Sequence, residues 1–461
     1  IDVIITDHHH PKKYNPDNNG LNLDNLLDNA KEVLPNCYAL LDPWVEHETY
    51  PFKHLAGVGV AFKVIEALTI NMAVPDKVFN ELLEIVSVST VTDVAKIIGE
   101  NRGWLKKGLE LLKNPINKGL ANLYDKTNLW DDIKEKDGFQ RTHISFRIGP
   151  CLNACSRLSG DGMIGYKLLM TDDQEEASQL AHGLVTLNNE RQKKQKKMVT
   201  HCMKQKEELE QKFIVICNET FHSAICGIVA GKVKDRTGHP CIVLAPKGKT
   251  KSGKTIWGGS ARSSDRIDIF KILSEIPQSL FKGWGGHPAA AGLTLDSEPE
   301  GSTYPFDQSP VNVLRETLNE YFEERTEEYP DELFQKVLDV DCSVVLKELD
   351  FGTIDKLHSL APFGEGNWEP RFSAVGELPW GIKKLVNKKK EGEYHVSFSI
   401  RDMSGYKKAI IWNCFKRFPE LNDDTSDIGI VFKPHKNIWT DGKGNEHNDT
   451  QLVIEDMKVI D

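Results

Sequence analysis

The sequence has little that would staple, anchor or address it. Its nine cysteines are scattered over 461 residues and never form a CxxC pair. An odd, unpaired set excludes a disulfide framework, and Cys151 with Cys155, the nearest pair, offers too few thiolates for a structural zinc site. The cysteines read as small buried hydrophobes. No apolar run reaches the ~18 residues needed to cross a bilayer, so no membrane is expected among the partners. The first residues are a strand-like apolar stretch rather than a charged leader before an apolar core, which leaves no secretory address and makes the cytoplasm the expected compartment. Positive charge is also short: 58 Lys and Arg against 68 Asp and Glu give a formal net charge of −10. That balance argues against a polyanion-binding surface overall but not against a local groove, and a metal cluster needs carboxylates of its own.

What is present is ordinary globular composition, 39% hydrophobic and 27% charged. The length calls for two or three domains. The chain is organised around Thr6, Asp7, His8, His9, His10 and Pro11. Ile1, Val3, Ile4 and Ile5 read as a buried strand of a parallel sheet, ended by Pro11. Ligands gather at the carboxyl ends of such strands. Successive side chains of an extended backbone point to opposite sides, so His8 and His9 divide the work: one holds a metal while the other faces substrate. A solvated polar turn is the competing account. A purification tag would not follow a strand with an aspartate in front.

Along the chain, residues 1 to about 172 read as alternating strands and helices of a doubly wound sheet. Asn36 to Leu41 is its second strand, and Leu55 to Leu68 a helix whose Gly57 and Gly59 permit close packing. The helix Val78 to Val88 leads into Asp93, which by itself reads as a helix cap. Arg147, Asn153 and Arg157 surround Gly149-Pro150 and suit phosphates or bases, or equally a turn and a capped helix. Asp172 to about Lys212 reads as one long helix with Leu180, Leu184 and Leu187 on one side. Its Lys193, Lys194, Lys196 and Lys197 form a solvated face or a DNA contact.

A second α/β unit begins at Phe213. Ile256 to Arg262 is a strand ending in Gly258-Gly259-Ser260-Ala261-Arg262-Ser263, where glycines admit a close phosphate and Ser260 and Arg262 supply donors. A plain strand-to-loop turn competes. In Gly285-Gly286-His287 and the alanines that follow, His287 is the only functional group among small residues. From about residue 336, Val396, Phe398 and Ile400 alternate with polar residues, and Ala409 to Trp412, Ile430 to Phe432 and Leu452 to Ile454 complete a pattern of short strands that suggests a small β-barrel. Lys383, Lys384, Lys388, Lys389 and Lys390 form either a backbone contact or a solvated loop. Trp412 and Phe415 read as buried barrel aromatics rather than a stacking platform.

Asp7-His8-His9 resembles the signature of the DHH phosphoesterase superfamily. Leu55 to Lys63 (LAGVGVAFK), Ser89 to Arg102 (STVTDVAKIIGENR), Arg147 to Arg157 (RIGPCLNACSR), Gly258 to Ser263 (GGSARS), Gly285 to Gly292 (GGHPAAAG) and Ala361 to Pro370 (APFGEGNWEP) narrow the resemblance to the RecJ single-strand exonucleases. It implies an α/β fold: a parallel-sheet DHH domain over 1–172, a connecting helix over 173–212, a DHH-associated α/β domain over 213–335 and an OB-fold β-barrel over 336–461. The implied activity is 5′ to 3′ exonuclease action on single-stranded DNA in recombination and repair, with two divalent ions, Mn²⁺ or Mg²⁺. His8 and Asp93 are then metal ligands, Asp7 a ligand or its support, and His9 faces the scissile phosphate. Ser260 and Arg262 hold the 5′-phosphate, while Asn153, Arg157, His287, Lys383, Lys384 and Lys388 contact nucleic acid. The resemblance further implies a monomer that works with single-strand-binding protein.

The sequence departs from the family pattern in two places. Cys151 stands where the family usually has arginine, so one phosphate contact is expected to be missing. Two further aspartate motifs, upstream of the DHH stretch in the family, have no counterpart here. The expectation is therefore a fragment that binds metal weakly and turns over poorly. Two other readings compete, a non-catalytic single-strand-binding scaffold with a decayed metal site and a hydrolase of short oligonucleotides or cyclic dinucleotides. Intact Asp7, His8, His9 and Asp93 weigh against the first, and the added barrel against the second.

Overall fold

The computed structural model describes residues 1–14, 31–135, 138–297, 309–386, 394–412, 427–440, 444 and 446–460. They form two compact units, residues 1–93 with 108–336, and residues 94–107 with 337–461.

In the first unit, β1 (Ile4–Thr6) pairs with β2 (Lys12–Tyr14) nowhere; β2 joins β3 (Lys31–Val33) as an antiparallel ribbon, while β4 (Ala39–Leu41) lies parallel to β1 with Thr6 opposite Leu41. The expected parallel pairing is there, but the expected burial is not: Ile1, Val3 and Ile4 are exposed. Among the described residues this sheet has only two strands, too narrow to cover its own flanks. The expected alternation also stops early. From Gly57 to Cys202 the regular elements are helical: α1 (Gly57–Asn71), α2 (Asp76–Thr92), α3 (Gly99–Leu111), most of which belongs to the second unit, α4 (Lys118–Thr127), α5 (Leu129–Glu135), α6 (Arg141–His143), a π-turn over Ile144–Ile148, α7 (Gly149–Leu158), α8 (Met163–Met170) and α9 (Gln174–Cys202).

Helix α2 shows how this unit is locked. Asp76 in its first turn suits the positive end of the helix dipole, and Leu83, Val86 and Val91 face the core. Glu84, fully buried among them, accepts the backbone N–H groups of Ile116 and Asn117 at 2.7 and 3.0 Å, at the start of α4. Burial pushes the Glu84 carboxyl above its ordinary value despite those two bonds. The folded state therefore holds this proton more tightly than the unfolded chain, and its contribution to stability is lost as pH rises from the ordinary value through the raised one. Glu84→Gln is expected to flatten that segment of the stability–pH profile and, by removing one acceptor, to cost about 1–3 kcal/mol at neutral pH. Urea unfolding from pH 4 upward checks both.

Helix α9 ends at Cys202 and not at Lys212. The N–H groups of Met203 and Gln205 turn back onto Val199 and Cys202, and a short helix, α10 (Lys206–Leu209), follows. The charged continuation has no apolar stripe to bury; α10 has no buried residue. Beyond it, β5 (Ile214–Cys217), α11 (Cys226–Thr237), β6 (Cys241–Lys249), β7 (Thr255–Arg262), α12 (Ile269–Glu275), β8 (Phe281–His287), β9 (Ala290–Leu295) and α13 (Pro310–Glu324) build a sheet of order β5-β6-β7-β9-β8 with helices packed against it. Phe213, Val215, Ile242, Leu244, Leu314 and Phe322 belong to its core.

The second unit is the barrel. Its strands are β10 (Cys342–Ser343), β11 (Phe372–Val386), β12 (Tyr394–Asp402), β13 (Gly405–Ile411), β14 (Ile428–Thr440) and β15 (Glu446–Val459), with α14 (Phe351–His358) between the first two. The order β11-β12-β13-β15-β14 closes on itself because β11 also pairs with β14. The period-two pattern read from the sequence is kept: Val396, Phe398, Ile400, Ile430, Phe432, Leu452 and Ile454 all point into the core.

Candidate active site and nucleic-acid interface

Asp7 leaves β1 with its N–H on Leu41 O at 3.0 Å, which fixes where the next side chains start. Asp7 Oδ1 accepts the N–H of His8 at 2.7 Å and of His9 at 3.3 Å, and His9 Nδ1 lies 2.7 Å from the same oxygen. Partial burial draws the Asp7 carboxyl upward, but the bonds from the His9 ring and the two amides together outweigh it and leave the group below its ordinary value. An ionised Asp7 makes His9 Nδ1 the donor, which leaves His9 Nε2 on the outer edge of an exposed ring. The His8 ring has a different carboxylate beside it, with Nε2 3.6 Å from Asp93 Oδ2. That is too long for a hydrogen bond, and an imidazole nitrogen and a carboxylate oxygen are left facing one space. The two rings stay in contact, 4.4 Å between centroids and tilted by 53°, so His8 and His9 differ in their carboxylate partner and not by facing opposite sides as an extended backbone would place them. His10 packs its ring on Trp44, 3.9 Å between centroids.

Asp93 is a cap as expected, but at the carboxyl end of α2, with its N–H on Ser89 O at 2.9 Å. The helix dipole is negative there and disfavours a carboxylate. Val94, next in the chain, holds φ at +58°, a left-handed conformation costing a β-branched residue ~1–2 kcal/mol. Stability alone does not account for either feature. His8 also lies hard against the first turn of α1: a Cβ on Gly57 would stand 3.2 Å from His8 Cδ2.

His8, Gly57, Ser89, Thr92, Asp93, Asn153 and Arg157 line one open cleft of ≈ 580 Å³. Helix α7 brings Asn153 and Arg157 to it. Arg147, which the sequence grouped with them, is committed elsewhere: it pairs with Asp132 at 2.7 Å and bonds Thr127 O. Cys151 is buried and accepts a 3.4 Å contact from Asn188 Nδ2, so a side chain at that position faces the interior, not a phosphate.

From the cleft, Arg157 reaches Ala224 O, at 3.5 Å, in the turn before α11. There Arg262 and Ser260 project from β7. A Cβ on Gly227 would meet Arg262 Nη2 at 2.7 Å and Ser260 Oγ at 3.3 Å, so a side chain there would displace the guanidinium from this position. Arg262 donates to Ala261 O at 2.7 Å and has no carboxylate partner among the described residues. Burial, and then the charge of Arg157, lower its pKa. Across the sheet, Arg262 is in register with Ala290 and Ala290 with His287, while Ser260 aligns with Gly292 and Gly292 with Gly285. Residues of one such row share a face, so His287 and Arg262 flank an open floor of small residues.

In the barrel, Lys383 and Lys384 are exposed on β11, with Lys384 Nζ 3.8 Å over the Tyr394 ring. Trp412 is 52% exposed and stacks edge-on against His395, which corrects its assignment to the barrel core. Lys388, Lys389, Lys390 and Phe415 lie outside the described residues. Sequence reasoning passed over Arg191 and Asn188. Arg191 lies inside a charged helix, where periodicity gives no sign that it is buried.

Two family models match parts of the chain. Residues 210–324 match the DHHA1 domain and residues 340–456 the RecJ OB domain. The single-stranded-DNA-specific exonuclease RecJ of Bacillus subtilis is 32% identical over 465 residues, covering 100% of this chain and 51% of that protein. The chain is homologous over its length to the RecJ exonucleases of the DHH superfamily. RecJ of Thermus thermophilus is 28% identical over 403 residues, covering 87% of the chain and 50% of that protein. The crystal structure of Thermus thermophilus RecJ in complex with Mn²⁺ superposes with a TM-score of 0.74 at 25% identity, covering 100% of this chain and 58% of that one. Its complex with Mg²⁺ gives 0.70 at 25% identity, covering 90% and 57%. The chain thus spans about half the length of these RecJ relatives. No helix among the described residues is long and apolar enough to cross a membrane.

Proposed function

We propose that this chain is the nuclease core of a single-stranded-DNA-specific 5′ to 3′ exonuclease acting in recombination and repair. One observation carries the reading: the cleft that holds His8 and Asp93 also holds Asn153 and Arg157, and Arg157 extends to the turn beside Arg262 and Ser260. A cutting centre and an anion pocket then share one groove, as removal of nucleotides from a phosphorylated end requires.

The donor set fits a hard divalent ion. Imidazole nitrogen and carboxylate oxygen suit Mn²⁺ or Mg²⁺ better than a thiolate metal, and a cation offsets the unfavourable placement of Asp93 at its helix end. His8 and Asp93 would hold it, supplying part of a shell; among the described residues no three His, Cys, Asp or Glu side chains converge on one point. When bound, a pair of such ions neutralises phosphoryl oxygens and activates water. The residues of the chain do the rest. Asp7 fixes the His9 tautomer, His9 Nε2 faces the scissile phosphate, Asn153 and Arg157 hold the strand, and Ser260 and Arg262 anchor its 5′-phosphate. The glycine floor beside His287 gives bases a flat surface; on the barrel, Lys383, Lys384 and Trp412 give single strands a contact of their own, the lysines by charge and the indole by stacking. The protein acts in the cytoplasm as a monomer, with single-strand-binding protein as its partner on DNA.

Gly57→Ala is expected to push His8 off its seat and weaken Mn²⁺ binding several-fold with little change in melting temperature; titration followed by Mn²⁺ paramagnetic resonance reads it. Polarity is tested with one oligonucleotide blocked at either end. A bulky 5′ block should stop digestion and a 3′ block should not; the reverse pattern overturns the reading.

A further inference from the structure

The buried face of α9 changes character halfway along. Ala177, Ala181 and Leu184 begin it and Met198, Val199 and Cys202 end it, but the turns between bury Asn188, Arg191 and Gln195, each less than a tenth exposed. Arg191 Nε and Nη2 donate to Asn188 Oδ1 at 3.1 and 2.8 Å, and Nη1 donates to Gln195 Oε1 at 2.7 Å. A guanidinium has five N–H groups, so these three bonds leave two over. No carboxylate pairs with Arg191 among the described residues; neighbouring Glu190 pairs with Lys194 at 2.9 Å.

A buried cation without a counter-ion is costly, and a leucine would fill this face of α9 more cheaply. The arrangement keeps the charge while satisfying its hydrogen bonds: amides accept the N–H groups but cancel none of the positive potential. The potential has a recipient, because α9 packs on both α7 and α11. Burial and then the charge of Arg157 lower the pKa of Arg191, and the same Arg157 acts on Arg262. Three guanidiniums without a carboxylate partner among the described residues are thus linked through packed elements: α9, with Arg191, packs on α7 and α11, Arg157 of α7 reaches Ala224 O just before α11, and Arg262 of β7 rests on Gly227 of α11.

We propose that Arg191 is a positioning residue of the 5′-phosphate pocket, its amide-held charge keeping Arg157 turned toward the incoming anion and deepening the potential that selects a phosphorylated 5′ end. The inference rests on the pocket assigned above to Ser260 and Arg262. It also gives Asn188 and Gln195 a reason to be amides rather than acids.

The discriminating variants are Asn188→Asp and Gln195→Glu, near-isosteric changes that give Arg191 a carboxylate. A purely structural arginine would welcome the partner; a charge reserved for phosphate would be neutralised by it. The measurement is the affinity ratio for a 5′-phosphorylated over a 5′-hydroxyl single-stranded oligonucleotide of one sequence, without divalent ions and with melting temperatures recorded alongside. Asn188→Asp is expected to keep or raise the melting temperature while reducing the ratio about tenfold. An unchanged ratio in the folded Asn188→Asp and Gln195→Glu proteins overturns the proposal. Arg262→Ala separates the two layers. If it leaves the ratio unchanged, the pocket assignment fails and this inference with it. If it collapses the ratio while Asn188→Asp does not, only the role of Arg191 fails.

Discussion

Arg262→Ala is expected to cost about a hundredfold in affinity for 5′-phosphorylated single strands, and far less for 5′-hydroxyl strands. Charge-assisted bonds to a phosphate contribute ~1.5–3 kcal/mol, and the upper figure is about a hundredfold in Kd. The upper figure applies because the guanidinium is already partly desolvated and unpaired by any carboxylate among the described residues, held by one bond to Ala261 O. Fold stability should not fall, since removing the alanine-replaced cation relieves its repulsion with Arg157. Fluorescence anisotropy with paired oligonucleotides checks the affinities. Equal losses for both 5′ ends would make Arg262 a general backbone contact.

Asp93→Asn is expected to lower Mn²⁺-dependent turnover by ~10³-fold or more while raising thermal stability slightly. The two signs have one cause. The carboxylate sits at the negative end of α2, where removing its charge returns ~0.3–1 kcal/mol, yet that charge is what a divalent ion needs. Asparagine keeps the shape and the cap N–H bond to Ser89 O. A melting curve and a single-turnover assay on the same preparation test the pair of effects. A variant that is both less stable and still active would mean that Asp93 serves the helix and not the metal.

The barrel strands were legible because a half-buried strand writes its two faces at period two, and Val396, Phe398 and Ile400 do so without interruption. The candidate site residues were legible as motifs, not as geometry. Nothing local in the sequence brings His8 to Asp93, because that approach depends on α1 passing the end of β1 with only a glycine between them. Arg147 and Arg157 flank the same motif with the same chemistry, and only tertiary packing commits the first to Asp132. Trp412 carries an apolar, strand-like context that is indistinguishable from a core position until the barrel closes. Arg191 was hidden for the opposite reason, since a charged residue in a charged helix reads as solvated. The apolar run of β1 shows the limit of periodicity: it gave the strand and its parallel partner but not its exposure, which depends on what else joins the sheet.

The central claim is that the cleft of His8 and Asp93 cuts the strand whose 5′ end Arg262 and Ser260 hold. Its most direct test is release of nucleotides from 5′-labelled single-stranded DNA with Mn²⁺, measured in the longest natural polypeptide containing these 461 residues, beside its His9→Ala variant. The account predicts stepwise release of labelled mononucleotide by the natural protein and none by His9→Ala, with single-strand affinity equal in both. Binding without release by either protein, or release that survives His9→Ala, would contradict it.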